Sequence, residues 1–244
     1  MKVSLFITCL SDAIYPKVGE AMVRILSRYG VELSFPETQT CCGQPAFNSG
    51  YWDAAKEGAK TLIESFEDSD FVVSPSGSCV AMIHHHYPIL FKDDPVMLKK
   101  AIELKEKSYE FTQFLVQVLG VTDLGASFPH RVTYHPSCHG TRMLGIKDEP
   151  YTLLKNIKGL EFVPLPFAED CCGFGGTFAV KLPDISGAMV SEKVQHVMET
   201  EAEVLCGLDM GCLMNIGGRM SHAGKPVRVM HLIEVLYEGV KQGV

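Results

Sequence analysis

Thr40-Cys41-Cys42-Gly43 and Asp170-Cys171-Cys172-Gly173-Phe174-Gly175-Gly176 are the two stretches from which the organisation of this chain can be read. Working outward, a lone cysteine precedes each pair at nearly the same interval, Cys9 before Cys41 and Cys138 before Cys171. Another lone cysteine follows each pair: Cys79 after Cys42 and, at a slightly longer interval, Cys212 after Cys172. The same order therefore occurs twice, each member of the second set displaced from its counterpart by about 130 residues. The flanking text repeats too. Val31-Glu-Leu-Ser-Phe-Pro36 and Leu160-Glu-Phe-Val-Pro-Leu165 lead into the two pairs. Phe71-Val-Val-Ser74 and Glu203-Val-Leu-Cys206 lead into Cys79 and Cys212. Internal repetition of this kind points to two homologous halves, residues 1–124 and 125–244, joined through the Gly- and Pro-containing stretch 120–129.

Each half has the same predicted parts. Residues 3–8 form a short apolar run suited to a buried parallel strand that ends at Cys9. Apolar residues at helical spacing over 18–29 follow, with Gly30 as a stop. Strand 31–35, helix 51–66 and strand 71–74 complete the first half, and Pro75-Ser76-Gly77 turns the chain toward Cys79. The second half reads strand 131–135, helix 151–157, strand 160–163, helix 186–200 and strand 202–206. Strands alternating with helices predict an α/β fold of two Rossmann-like halves, each a small parallel sheet with flanking helices. Loops at the carboxyl ends of parallel strands are where such folds gather ligands, so the three cysteine-bearing loops of each half should converge on one sheet edge.

The chain has 244 residues, 46% of them hydrophobic, enough for a sizeable core. Its net charge of −7 argues against nucleic acid or an anionic membrane surface as a partner. No apolar run approaches the ~20 residues that span a bilayer. Met1-Lys2-Val3 runs directly into the first strand without a signal peptide, so the expected location is the reducing cytoplasm. Nine cysteines there are not a disulfide framework, and a bond between adjacent cysteines would close a strained ring. Four converging thiolates per half instead suit a soft metal centre, either an iron–sulfur cluster or zinc. Gly43 and Gly173 leave room for a tight turn around such a group, and the glycines after Cys172 offer spare N–H donors to its sulfur atoms.

The doubled layout resembles the cysteine-rich CCG domain, present twice in the cysteine-rich chain of heterodisulfide reductase and in iron–sulfur subunits of glycolate and glycerol-3-phosphate oxidoreductases. Residues 40–51, 170–180 and 211–218 are similar to the lactate-utilization protein A family, and that likeness spans nearly the whole chain. It implies [4Fe–4S] electron carriage, with one or two clusters, in a cytoplasmic system that oxidises L-lactate to pyruvate with two partner subunits. It implies Cys9, Cys41, Cys42 and Cys79 as one ligand set, and Cys138, Cys171, Cys172 and Cys212 as the other. The heterodisulfide-reductase version has a fifth cysteine in each motif; here those positions are Ser76 and Asp209. Four thiolates per half suit one ordinary cluster or one tetrahedral zinc, with zinc open in one half. Asp209 is an additional candidate oxygen ligand, although a loop carboxylate also serves as a turn or cap residue.

Other candidates are weaker. His84-His85-His86 cannot chelate together from a helix, and the expectation is one ring toward the core and two outward. His135 and His139 flank Cys138 and are each read equally as a donor to sulfur or as a buried histidine bonded to backbone. Cys206 reads as a core residue, and Arg142 and Lys147 as surface charges able to attract an acid. The chain contains no recognisable flavin or nicotinamide motif, so L-lactate need not bind here and no catalytic residue is assigned. The leading expectation is a redox subunit of a lactate-oxidising complex. The alternatives are a thiol/disulfide redox catalyst and a zinc-stapled structural subunit.

Overall fold

In a computed structural model, residues 1–242 are described, and they form two compact units, the first Met1–Phe114 and the second beginning at Leu115. The division falls before the glycine-containing stretch 120–129 that marks it in the sequence. The first unit contains β1 (Lys2–Leu5), β2 (Glu32–Ser34), β3 (Phe71–Ser74) and β4 (Ser108–Glu110), hydrogen-bonded in the order β2-β1-β3-β4. The second contains β5 (Arg131–His135), β6 (Glu161–Phe162), β7 (Val204–Gly207) and β8 (Arg228–His231), in the order β6-β5-β7-β8. Every pairing in both four-stranded sheets is parallel. The α/β reading with two similar halves is therefore what the structure has.

The register makes the repeat close enough to equate residues. Val3 faces Phe71 in the first sheet, as Val132 faces Val204 in the second. Cys9 and Cys138 lie equally far beyond the first member of these pairs, and Cys79 and Cys212 equally far beyond the second. On this count Phe6 is the counterpart of His135, Leu10 of His139, and Ser76 of Asp209.

The helices that cover the sheets follow from local signals. Pro16 starts the helix Pro16–Leu26, which buries Val18, Met22, Ile25 and Leu26 and runs through a 3₁₀ turn to Gly30 at φ 67°. The helix Trp52–Ser65 buries Ala55, Ala59, Leu62 and Ile63, whereas Trp52 at its start is exposed. In the second unit the helices Asp148–Lys155, between β5 and β6, and Pro183–Glu199, between β6 and β7, take the equivalent places in the chain.

Several elements escape the sequence pattern. β4 and β8 are short edge strands carrying Glu110 and Arg228, without the apolar run of a central strand. The helix Pro95–Lys107 also goes unpredicted, although its start is marked by Asp94, whose carboxylate accepts from the N–H groups of Val96 and Met97. π-helical turns follow the cysteine-bearing segments at Met82–His86 and His139–Met143, a geometry frequent at functional sites. Among the described residues no helix is long and apolar enough to cross a membrane.

Candidate metal centres

In each unit the cysteines sit at the carboxyl edge of the sheet. Cys9 opens the short helix after β1, Cys41 and Cys42 lie in the loop after β2, and Cys79 lies on the helix Gly77–Ala81 after β3. The Cys9 and Cys41 sulfurs are 3.9 Å apart, and those of Cys42 and Cys79 are 3.5 Å apart. Cys42 also hydrogen-bonds Cys41, which joins the two contacts into one group of four. The group has an outer pair, exposed Cys9 and half-buried Cys41, and an inner pair, buried Cys42 and Cys79. In the second unit the same chain of thiol contacts links Cys138 to Cys171, Cys171 to Cys172, and Cys172 to Cys212. There too Cys172 and Cys212 are buried, and the outer pair, Cys138 and Cys171, is half-buried. All eight predicted residues are thus brought together in their predicted sets, as free thiols.

Hydrogen bonding decides which sulfur carries charge. Thiols of Cys42 and Cys9 donate toward Cys41, and together with the Gly43 N–H they hold its pKa far below the usual range. Cys138 and Cys172 do the same for Cys171, helped by the Gly173 N–H at 3.4 Å. The neighbours that donate, Cys9, Cys42, Cys138 and Cys172, are pushed up correspondingly. Within each group these contacts favour ionisation of Cys41 or Cys171 over its neighbours, and a thiolate is the form that binds a metal cation.

The vicinal loops are held by two features. Gly43 and Gly173 have φ of 82° and 79°, a region that disfavours residues with a Cβ. A Cβ on Gly173 would lie 2.8 Å from the carbonyl oxygen of Ser186, and one on Gly43 would lie 3.3 Å from that of Ala55. The backbone carbonyl of the second cysteine is satisfied differently in each unit: the Tyr87 hydroxyl donates to Cys42 O at 3.0 Å, and Asn215 Nδ2 donates to Cys172 O at 2.8 Å.

Ser76 and Asp209, at the positions of the missing fifth cysteines, both cap helices. Ser76 Oγ accepts from Cys79 N at 3.3 Å, and Asp209 Oδ1 accepts from Gly211 N at 3.1 Å. Capping occupies one Asp209 oxygen, and the group of close, mutually facing ligand atoms in this unit comprises His135, Cys172 and Cys212.

The surroundings of the two groups diverge. In the first unit Cys42 and Cys79 belong to an apolar cluster with Phe6, Met82, Ile83 and Tyr87. In the second, His135 at the end of β5 replaces the phenyl ring of Phe6. Burial, with Lys193 adding repulsion, pushes its pKa down to about 4, so the imidazole is neutral. One imidazole nitrogen and the sulfurs of Cys172 and Cys212 all lie within 4.8 Å of one another. Nitrogen and thiolate donors at this spacing match the donor chemistry of zinc and iron–sulfur sites, so the residues fit a metal centre. His139 Nδ1 lies 3.5 Å from Cys138 Sγ.

Lys193 is buried, and its ammonium donates to Phe167 O at 2.6 Å and Ala168 O at 3.4 Å, just before the Cys171 loop. Sequence reading missed it, although the signal existed: Lys193 sits among Val190, Val194 and Val197, on the apolar side of its helix. Tyr87 and Asn215 carried no comparable signal.

The other candidates fall elsewhere. His84 and His86 are both half-buried and only His85 is exposed, which alters the expected one-inward, two-outward arrangement. His84 Nε2 pairs with Ser108 O at 2.9 Å, and His86 packs on Phe47 at 4.4 Å between ring centroids. Cys206 is fully buried in β7, as expected of a core residue. Arg142 and Lys147 are both exposed, as expected of surface charges, and they also line a cavity of about 650 Å³ together with Tyr134, Thr141, Tyr151 and Glu169.

Comparison with known proteins agrees with the doubled arrangement. The model of the cysteine-rich CCG domain matches residues 3–84 and again 132–217. "Lactate utilization protein A" of Oceanobacillus iheyensis is 61% identical over 97% of this chain and 96% of its own length. The protein of that name from Geobacillus thermodenitrificans is 58% identical over 97% of this chain and 98% of its own. "Lactate utilization protein A 2" of Bacillus cereus is 53% identical over 99% and 100%. Among solved structures, a hypothetical protein from Helicobacter pylori superposes with a TM-score of 0.71 at 9% identity. That match covers 99% of this chain but half of the other, and it speaks for the fold alone. With relatives this similar over their full lengths and the CCG domain present twice, the chain belongs to the lactate utilization protein A family.

Proposed function

We propose that this chain is an iron–sulfur electron-transfer subunit of a system that oxidises L-lactate to pyruvate. The observation that carries the reading is the pair of four-thiol groups, each assembled at a parallel-sheet edge with an inner and an outer pair of sulfurs. The names of its relatives supply the link to lactate. In this reading Cys9, Cys41, Cys42 and Cys79 hold one [4Fe–4S] cluster, and Cys138, Cys171, Cys172 and Cys212 hold a second. Asp209 acts beside the second as a helix cap. A bound cluster supplies reversible one-electron carriage. The protein's own part is to hold a thiolate ready at Cys41 and Cys171, exclude water from the inner sulfurs, and present the outer ones toward a partner. Two partner subunits, in the cytoplasm, bind lactate and exchange electrons with this chain.

A zinc site in the second unit is a distinct reading favoured by one observation, the imidazole nitrogen close to Cys172 and Cys212. Thiol/disulfide catalysis gains no comparable support, because Ser76 and Asp209 are engaged in capping where a fifth thiol would stand.

The test is purification without oxygen, followed by a visible spectrum and quantification of iron, sulfide and zinc. The expected result is iron with matching sulfide and broad absorption near ~400 nm. Cys171→Ala and Cys172→Ala should each remove the share of the second unit. A colourless protein holding only zinc would overturn the electron-transfer reading.

A further inference from the structure

We propose that His135 is a nitrogen ligand of the metal centre in the second unit, so that this centre has mixed imidazole and thiolate ligation whereas the first has thiolates alone. The inference rests on the second unit holding a metal centre and adds a donor that the cysteine pattern does not contain.

Three observations converge. First, His135 is 2% exposed, and neither ring nitrogen has a hydrogen-bond partner among the described residues. A buried histidine ordinarily satisfies at least one nitrogen with a carbonyl or hydroxyl, because leaving both bare costs their desolvation without return. Second, the ring is aimed at the inner thiols: an imidazole nitrogen and the sulfurs of Cys172 and Cys212 form a mutually close set, all three residues buried. Third, the repeat provides an internal control. The equivalent residue of the first unit, Phe6, is completely buried and packs edge-on against Phe66 at 5.7 Å between ring centroids. A position that needed only to fill space at the end of this strand is served by a phenyl ring. The second unit instead places there a side chain whose two polar atoms nothing among the described residues satisfies.

A metal ion resolves this, since a neutral imidazole coordinates through the lone pair that burial leaves free. Lys193 stands beside the group, its amine donating to Phe167 O at 2.6 Å and Ala168 O at 3.4 Å just before the Cys171–Cys172 pair, so it does not satisfy the His135 ring. His139 is a different case: its Nδ1 contacts Cys138 Sγ, on the outer side of the group.

The test uses the full chain purified without oxygen, with histidines labelled with ¹⁵N, and pulsed electron paramagnetic resonance of the reduced protein. The expected result is a strong ¹⁵N coupling of a directly coordinated nitrogen, lost in His135→Phe and retained in His139→Gln. His135→Phe copies the first unit, and iron content reports whether the centre is still loaded. His135→Cys should restore a loaded centre at a lower midpoint potential, because an anionic thiolate replaces a neutral imidazole. Absence of coordinated nitrogen from the loaded wild-type protein overturns the proposal however the variants fold. So does a coupling that survives His135→Phe. If the wild-type protein carries zinc instead, the electron-transfer reading fails while this one stands, and zinc-edge X-ray absorption reads the same difference: imidazole scattering present in wild type and lost in His135→Phe.

Discussion

The two units share strand order, register and cysteine spacing, yet they surround their thiols with different chemistry. The first backs its inner pair with Phe6, Met82 and Ile83, all apolar and all buried. The second places His135, Lys193 and the Asp209 carboxylate at or near the equivalent group. The outer pair differs as well, since Cys9 is exposed and its counterpart Cys138 is half-buried. Duplication has thus kept the backbone frame, which fixes where sulfur atoms go, and changed the residues that set charge and polarity around them. Two centres in such surroundings are expected to differ in potential, the more so with an imidazole on one of them.

The comparison breaks most readily at the thiols. Cys79→Ala and Cys212→Ala should each remove about half of the total metal and leave the other half in place, if the units load independently. Metal quantification on the two variants and the double variant checks this, and complete loss from either single variant would show that the sites are coupled.

The next largest contrast lies in the glycines. Gly173→Ala puts a Cβ 2.8 Å from a backbone oxygen in a left-handed conformation, whereas Gly43→Ala meets its nearest atom at 3.3 Å. The expected costs are about 3 kcal/mol and about 1–2 kcal/mol respectively, measured by urea unfolding of the metal-free proteins. Equal costs would mean the second loop shifts freely and is not pinned to its helix. Asn215→Ala and Tyr87→Phe strip the donor from the carbonyl of the second cysteine in each unit. Each should cost about 1–2 kcal/mol in the same measurement and loosen metal retention only in its own unit.

The smallest expected effect is the pH dependence contributed by His84 of the first unit. Burial lowers the pKa of His84, and the equivalent residue of the second unit is Gly217. A histidine depressed in the folded state contributes stability that is complete above its unfolded pKa of about 6.5 and is lost as the pH falls toward the folded value. His84→Gln should therefore flatten the fall in unfolding free energy below pH ~6.5. An unchanged slope would show that the imidazolium is accommodated by its bond to Ser108.

What the sequence revealed of these units follows from burial. β1, β3, β5 and β7 are inner strands covered on both faces, and they read as short apolar runs. β4 and β8 lie at edges, where Ser108, Glu110 and Arg228 break the pattern. The eight cysteines were legible because their spacing occurs twice. Asp209 was ambiguous, since a carboxylate at a helix start has the same letters whether it caps or ligates. His135 was harder still: its neighbour His139 looked equivalent, and only the parallel register, which sets Phe6 opposite it in the repeat, shows what kind of side chain that position otherwise takes.

The inner and outer sulfur pairs have a directional consequence. Electron tunnelling falls off steeply with distance, so a centre gripped this way is not equally reachable from all sides. Through the inner pair the route crosses packed side chains such as Phe6 and Met82; through the outer pair it meets solvent or a docked partner almost at once. On the proposed electron-transfer reading each unit is therefore a terminal with a single open face, and a donor or acceptor comes to the side where Cys9 and Cys41, or Cys138 and Cys171, stand.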